Sequence, residues 1–309
     1  MIDFEEILRG FVREVEPTPA QKEDAQRTQN NLRDKLRTKI LGERIVGCYL
    51  SGSYARHTAI FPLDDVDVIV LIDPTKWKIG FFSELPEPAA VLQTFEGAVR
   101  YRYPDSQVRM QRRSIGLKLY RMDLDIVPAV PESRESDRIR IPDTVSNSWI
   151  VSAPKVHADA ATAVNKARDK QFIPLVKLLK RWNSQLPGKT QLKSFAIETL
   201  AVRVFRVVPF NGLAEGALLF FDFIAAFSGQ AICRKWQDTF DISLGYWFTP
   251  SIPDIAGTGS NLVAGMDEDQ RVRFIQRAIR ARADLIKGLE ASTPERAEDA
   301  LARALCIGG

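Results

Sequence analysis

The sequence predicts an α+β protein in which a mixed sheet occupies residues 1–155 and helices occupy residues 156–309. Short apolar runs bounded by Gly and Pro dominate the first half. Apolar residues at helical spacing dominate the second. The 309 residues exceed what one hydrophobic core usually supports, so one large domain or two tightly packed lobes is expected.

Each element follows from its local pattern. Pro19 to Leu41 is dense in good helix formers and brings Ala25, Leu32, Leu36 and Ile40 near one face, which predicts a long amphipathic helix. Arg44 to Leu50 reads as a strand and Ser51-Gly52-Ser53 as a turn. Asp65 to Ile72 reads as a second strand whose unbroken apolar run implies burial on both faces. A Pro-rich connection near Leu85 to Pro88 leads into a helical stretch ending at Gly97. Val99 to Tyr103, Val108 to Tyr120 and Met122 to Val127 read as further strands. Pro128, Pro131, Pro142 and Pro154 punctuate the next stretch around the polar run Glu132 to Arg140, and the lobe boundary is placed at Lys155. Helices are then expected over Ala158–Asp169, Ile173–Ser184, Ser194–Val208, Leu213–Phe227, Gln270–Leu289 and Ala297–Leu305. No repeat of fixed period and no low-complexity tract interrupts this order.

Composition narrows the chemistry. Lys plus Arg number 43 against 39 Asp plus Glu, a mild basic excess that suits small anionic ligands as well as polymers. The three cysteines, at 48, 233 and 306, have no CxxC spacing, which argues against a disulfide framework and a zinc ribbon. With histidine only at 57 and 157, any metal chemistry falls to carboxylates. Met1 to Glu6 shows no basic region followed by an apolar run, so no secretory signal is expected. The run Gly216 to Phe227 is broken by Asp222 and falls short of the roughly 20 apolar residues that span a bilayer. The expectation is a soluble, cytoplasmic protein with no membrane partner.

The chemistry concentrates in two pairs of acids. Asp65 and Asp67 are two apart on a predicted strand, and period-two geometry points both to one side. Carboxylates about 4 Å apart repel by only ~1 kcal/mol in water but by several times that in a shielded cleft, so the pair favours a bound divalent cation, magnesium or manganese. Asp123 and Asp125 repeat the spacing on a later strand. Asp125, flanked by apolar neighbours, is the better candidate to join the first pair, because an unpaired buried carboxylate is costly. Ahead of the first pair, Gly52 permits close backbone approach, and turn amides with the Ser53 hydroxyl suit terminal phosphates; a plain turn is the bland alternative. In the second half, Phe172, Leu175, Val176, Leu179 and Trp182 form an apolar stripe that leaves Lys177, Lys180 and Arg181 on more polar positions. Lys180 either faces water or closes over a triphosphate together with Ser194, whose ordinary role would be an N-cap. Asn165 is either an exposed helical residue or a reader of a base edge. The basic residues Arg100, Arg102, Arg109, Arg112, Arg113 and Lys118 read as a solvated sheet face or as an RNA contact.

Taken in order, the GSY-R-T turn, the DVDV strand, the LDIVPA strand, the LLKRW helix and the SFAIE helix resemble the CD-NTases. These are the cGAS/DncV-like nucleotidyltransferases of bacterial anti-phage (CBASS) signalling, relatives of oligoadenylate synthase within the polymerase-β superfamily. The resemblance spans roughly residues 15 to 265 and includes PTPAQ before the first long helix and the IPD…N segment at Ile252 to Asn261. It implies a bilobed polymerase-β-like nucleotidyltransferase core packed against a helical lobe. It further implies that Asp65, Asp67 and Asp125 are catalytic and bind two Mg2+ ions, with Mn2+ an alternative. Gly52 and Ser53 would hold the donor triphosphate, Lys180 and Ser194 would touch phosphates, and Phe195 would stack on a base. The product would be a cyclic di- or trinucleotide read by a downstream effector protein. The Cys/His insert by which animal cGAS binds DNA is missing, so nucleic-acid activation of that kind is not expected. The diglycine end makes Gly309 a conjugation point for a ubiquitin-transfer-like partner enzyme, as in some CD-NTase operons, or simply a glycine tail.

Two readings compete with the synthase. An RNA-tailing or tRNA nucleotidyltransferase would use the same acids on a polymer end. A non-catalytic nucleotide-binding or antitoxin-like module would keep the fold without transfer, although retention of all three acids opposes it.

Overall fold

The computed structural model describes residues 2–37, 41–63, 65–77, 84–120, 122–133, 136–228, 240–245 and 249–307. Packing divides the chain into two units, Pro17–Ala158 and Met1–Glu16 with Asp159–Gly309. The first sixteen residues therefore group with the later helices, where the sequence reading had placed them in the sheet lobe. Gly309, the expected conjugation point, lies outside the described residues, as do Ile40 and Cys233.

The unit Pro17–Ala158 is built on a mixed sheet. Its first helix, α2 (Pro19–Leu36), follows α1 (Phe4–Glu14) of the other unit. Thr18 and Gln21 close a capping box at its start, and Pro19 sits where its missing N–H costs nothing. Ala25, Leu32 and Leu36 are fully buried, the face the periodicity predicts. Strand β1 (Ile45–Leu50) leads into a short helix, α3 (Gly52–Ala55), and then to β2 (Asp65–Ile72). Helix α4 (Pro88–Arg102) precedes β3 (Gln107–Met110), β4 (Ile115–Lys118) and β5 (Asp123–Pro131). Strand order is β1-β2-β5-β4-β3, with β2 and β5 parallel at the centre. The end of β5 also pairs with β6 (Ile139–Asp143), which forms a hairpin with β7 (Ser148–Ser152).

Helices α2 and α4 cover one face of this sheet. Val66, Val68, Val70 and Ile72 of β2 join Leu124 and Ile126 of β5 in that core, while Ile69 and Ala129 point to the opposite face. Burial of β2 on both faces is as its apolar run implied.

Three expectations fail here for identifiable reasons. Val99–Tyr103 is not a strand: Val91, Leu92, Phe95, Ala98 and Val99 continue one buried helical face, and Gly97 sits on the open side without ending the helix. Val108–Tyr120 is not one strand but the β3–β4 hairpin, closed by Gln111 N donating to Ser114 O at 2.8 Å. The proline-punctuated stretch contains β6 and β7. The buried Asp143 at their turn accepts from Arg112 Nε at 2.9 Å, from Arg113 Nε at 2.8 Å, and from the amides of Val145 and Ser146. Arg112 and Arg113 thus hold the unit together, and Arg100 and Arg102 lie on a helix, so the expected continuous basic sheet face does not form.

The other unit is helical. After α5 (Pro154–Ala167), within which the division falls, come α6 (Phe172–Ser184), α7 (Ser194–Val207), α8 (Leu213–Ala225), α9 (Glu268–Leu289) and α10 (Pro294–Leu305). Trp182 of α6 is its centre, packed edge-on against Phe221 at 4.8 Å and tilted against Phe274 at 5.5 Å. Helix α1 packs on α6 and α8, and Glu5 accepts from the Leu213 and Ala214 amides at 2.8 and 2.9 Å, capping α8 with a charge that suits its N-terminus. The Ile252–Asn261 segment is a closed loop: Asn261 Oδ1 accepts from Ile252 N and Val263 N, and its Nδ2 donates to Pro250 O. No helix among the described residues is long and apolar enough to cross a membrane.

Candidate active site

The parallel β2–β5 ladder sets the site. Its register pairs Asp65 with Asp123 and Asp67 with Asp125, so Asp67 and Asp125 lie side by side on the sheet face opposite α2 and α4. Alternation along each strand sends Val66, Leu124 and Ile126 inward and leaves the acids on the other side. The sheet thus brings together the three aspartates singled out from the sequence, with Asp125 beside Asp67.

Their electrostatics show the crowding. Burial pushes the Asp67 carboxyl up to about 6, with Asp65 and Asp125 adding to the rise and Arg56 opposing it. Asp125 is also raised, first by burial and then by Asp65, while a hydrogen bond from Gln111 works in the other direction. Among the described residues neither Asp65 nor Asp67 accepts a side-chain hydrogen bond, and no three acidic, His or Cys side chains are gathered into a ready metal cage. The donor set still fits a hard divalent cation: only oxygens, and mutual repulsion that a positive charge would relieve.

The turn before β2 is built against these acids. Ser51 N donates to Asp67 O at 2.8 Å, fixing the turn to the strand. Gly52 adopts φ +63°, and the space a β-carbon would take is filled by the Asp67 carboxylate. Ser53 O accepts from the Thr58 and Ala59 amides, which ties down the following loop. Among the described residues the Ser53 hydroxyl makes no hydrogen bond and the Gly52 and Ser53 amides reach no main-chain carbonyl, so all three donors remain available. Beside Gly52 opens a cavity of about 470 Å³, walled by apolar Tyr49, Leu71 and Ile139 and rimmed by Ser51, Arg56 and Lys155. This cavity carried no signal in the sequence, because part of its wall comes from Ile139 of β6, in the proline-punctuated stretch where no strand is expected.

The remaining candidates belong to the helical unit. Lys180 is only 3% exposed, and Lys177 is also buried and ion-paired with Glu16, so neither occupies the polar position expected of it. The stripe is simply wider than the five residues that suggested it. Ser194 is the exposed first residue of α7; the N-cap position falls to Lys193, which makes no side-chain cap. Phe195 is half-buried on the same turn. Asn165 accepts from Ile173 N at 3.0 Å, a local structural bond across the α5–α6 junction.

Known proteins resemble this chain in sequence and in fold. Residues 3–165, more than half of the chain and all of the acid-bearing sheet, match the Second Messenger Oligonucleotide or Dinucleotide Synthetase (SMODS) domain. A cyclic AMP-AMP-AMP synthase from Acinetobacter is 26% identical over 275 residues, covering 85% of this chain and 73% of the relative. A cyclic AMP-AMP-GMP synthase from Enterobacter hormaechei is 34% identical over 129 residues, 40% of this chain and 32% of that one. In fold, the structure of Escherichia coli CdnC with ATP aligns over 99% of both chains with a TM-score of 0.76 at 20% identity. This chain therefore belongs to the Second Messenger Oligonucleotide or Dinucleotide Synthetase family, the CD-NTases, nucleotidyltransferases that build cyclic oligonucleotides from NTPs.

Proposed function

We propose that this protein joins NTPs, ATP first among them, into a cyclic di- or trinucleotide that a CBASS effector reads, with Asp65, Asp67 and Asp125 holding two Mg2+ or Mn2+ ions. The side-by-side register of Asp67 and Asp125, backed by Gly52, is the observation that carries this reading. Its adenylate preference rests on the two named relatives, one a cyclic AMP-AMP-AMP synthase and the other a cyclic AMP-AMP-GMP synthase.

Bound divalent ions would supply acidity to a ribose hydroxyl and charge neutralisation to the departing pyrophosphate. The chain's own residues do the rest. The Gly52 and Ser53 amides and the Ser53 hydroxyl hold the donor triphosphate, and Gly52 lets it approach the acids without a side chain in the way. Apolar Tyr49, Leu71 and Ile139 beside that turn receive the base and ribose, and a cavity of about 470 Å³ is of nucleotide size. The protein works in the cytoplasm, where NTPs and magnesium are plentiful.

The test is direct. Purified protein with labelled NTPs and magnesium, without primer, should give a small phosphatase-resistant product whose mass identifies the ring. Extension of added RNA, with nothing formed from NTPs alone, would transfer the assignment to a tailing enzyme.

A further inference from the structure

The third acid is held by a device outside the three aspartates. Gln111, in the tight β3–β4 turn, donates from Nε2 to Asp125 Oδ1 at 2.9 Å. Among the described residues it is the only hydrogen-bond donor to that carboxylate. The amide's orientation is itself fixed, because Ser114 Oγ donates to Gln111 Oε1 at 3.1 Å and so turns the NH2 end toward the acid.

The sheet makes room for this arrangement. Gly116 of β4 is the register partner of Asp125, and a β-carbon there would lie 2.6 Å from Gln111 Nε2. A glycine opposite the acid thus creates the slot that the glutamine amide fills. On the next strand Arg109 is the partner of Gly116, so the transverse row reads Asp67, Asp125, Gly116, Arg109, with the amide laid over its one gap.

We infer that Gln111 is a positioning residue for Asp125: oriented by Ser114 and seated over Gly116, it holds one carboxylate oxygen and leaves Oδ2 to face a divalent cation. This inference rests on the metal reading of the three acids proposed above. A neutral amide suits the role, because it fixes the carboxylate without adding a charge that would repel or replace the ion. The chain closes the β3–β4 turn through Gln111 N and Ser114 O in any case, so the two side chains are additional to what the hairpin needs.

Mn2+ binding to the full-length apoprotein, followed by the loss of the free-ion signal in electron paramagnetic resonance, separates positioning from folding. Gln111→Leu, which keeps the volume and removes the donor, should weaken Mn2+ about 10-fold while the melting temperature stays unchanged. The Mn2+ concentration giving half-maximal synthesis should rise by the same factor. Ser114→Ala should weaken Mn2+ about 3-fold alone and add nothing in the Gln111→Leu background, because it acts through the glutamine. Wild-type affinity in Gln111→Leu, or an undiminished Ser114→Ala effect in the double variant, overturns the inference. Asp67→Asn and Asp125→Asn distinguish the underlying reading: if they too bind Mn2+ like the wild type, the metal assignment itself fails, whereas their loss of binding beside an unaffected Gln111→Leu removes only the positioning role.

Discussion

A β-carbon on Gly52 would lie 2.8 Å from Cγ of Asp67 and overlap its carboxylate oxygen, so the glycine of the Ser51–Ser53 turn and the second acid of β2 occupy one another's space. The left-handed φ of +63° at Gly52 adds a second reason why no other residue belongs there. The turn and the second acid are therefore one structural unit, joined also through Ser51 N and Asp67 O.

From that relationship, Gly52→Ala should cost on the order of 1–3 kcal/mol of stability and at least ~100-fold in synthesis, since relief requires Asp67 to turn away. Thermal denaturation together with product formation at saturating NTP checks both. Wild-type turnover by this variant would show that the acid tolerates displacement.

Asp67→Asn should make the metal-free protein more stable at pH 7.5 while abolishing synthesis. The sign follows from linkage. A carboxyl raised to about 6 in the fold, from about 4 unfolded, costs stability in full above pH 6 and nothing below pH 4. Melting in EDTA at pH 7.5 should therefore favour the variant by on the order of 1–2 kcal/mol, and the two proteins should converge toward pH 4.

Asp143 should behave in the opposite sense. Arg112 beside it, with Arg113 and two turn amides, holds its carboxyl well below the usual carboxylate range. Its stabilisation is complete above the unfolded value of about 4 and fades as pH falls below that toward the depressed folded value. Asp143→Asn should lower the melting temperature clearly at pH 7, and denaturation curves should show the deficit shrinking in strong acid.

Glu5→Ala tests whether the first sixteen residues belong to the helical unit. Loss of the α8 cap should cost about 1 kcal/mol, read as a drop of roughly 2–4 °C in melting temperature. Synthesis at 25 °C should be unchanged.

What the sequence disclosed divides along physical lines. The acids were legible because period two is rigid: once DVDV and DLDI are strands, alternation fixes which side their carboxylates take, and an apolar flank on Asp125 selects it over Asp123. The helical unit was legible because Phe172, Leu175, Leu179 and Trp182 repeat at helical spacing with no competing pattern. Val99–Tyr103 misled because five residues cannot distinguish a short strand from the last turn of a helix whose face was set by Val91 and Phe95. The β6–β7 hairpin stayed hidden because Pro142 lies inside a strand, and Asp143, which organises the hairpin turn, draws its partners from Arg112 and Arg113 some 30 positions away. Lys180 was misplaced for a related reason: amphipathic spacing describes one face, and α6 is buried on more than one. Gln111 carried no signal at all, since its meaning depends on Gly116 standing opposite Asp125.

The proposed function stands on Asp65, Asp67 and Asp125 jointly holding divalent ions beside the Gly52–Ser53 turn. A crystal of the protein soaked with Mn2+ and a non-hydrolysable ATP analogue, measured for manganese anomalous scattering, tests it most directly. Manganese is expected within about 2–2.5 Å of oxygens from all three aspartates and from the triphosphate. Triphosphate bound elsewhere, or Asp125 turned from Asp67 with no metal between them, would contradict it.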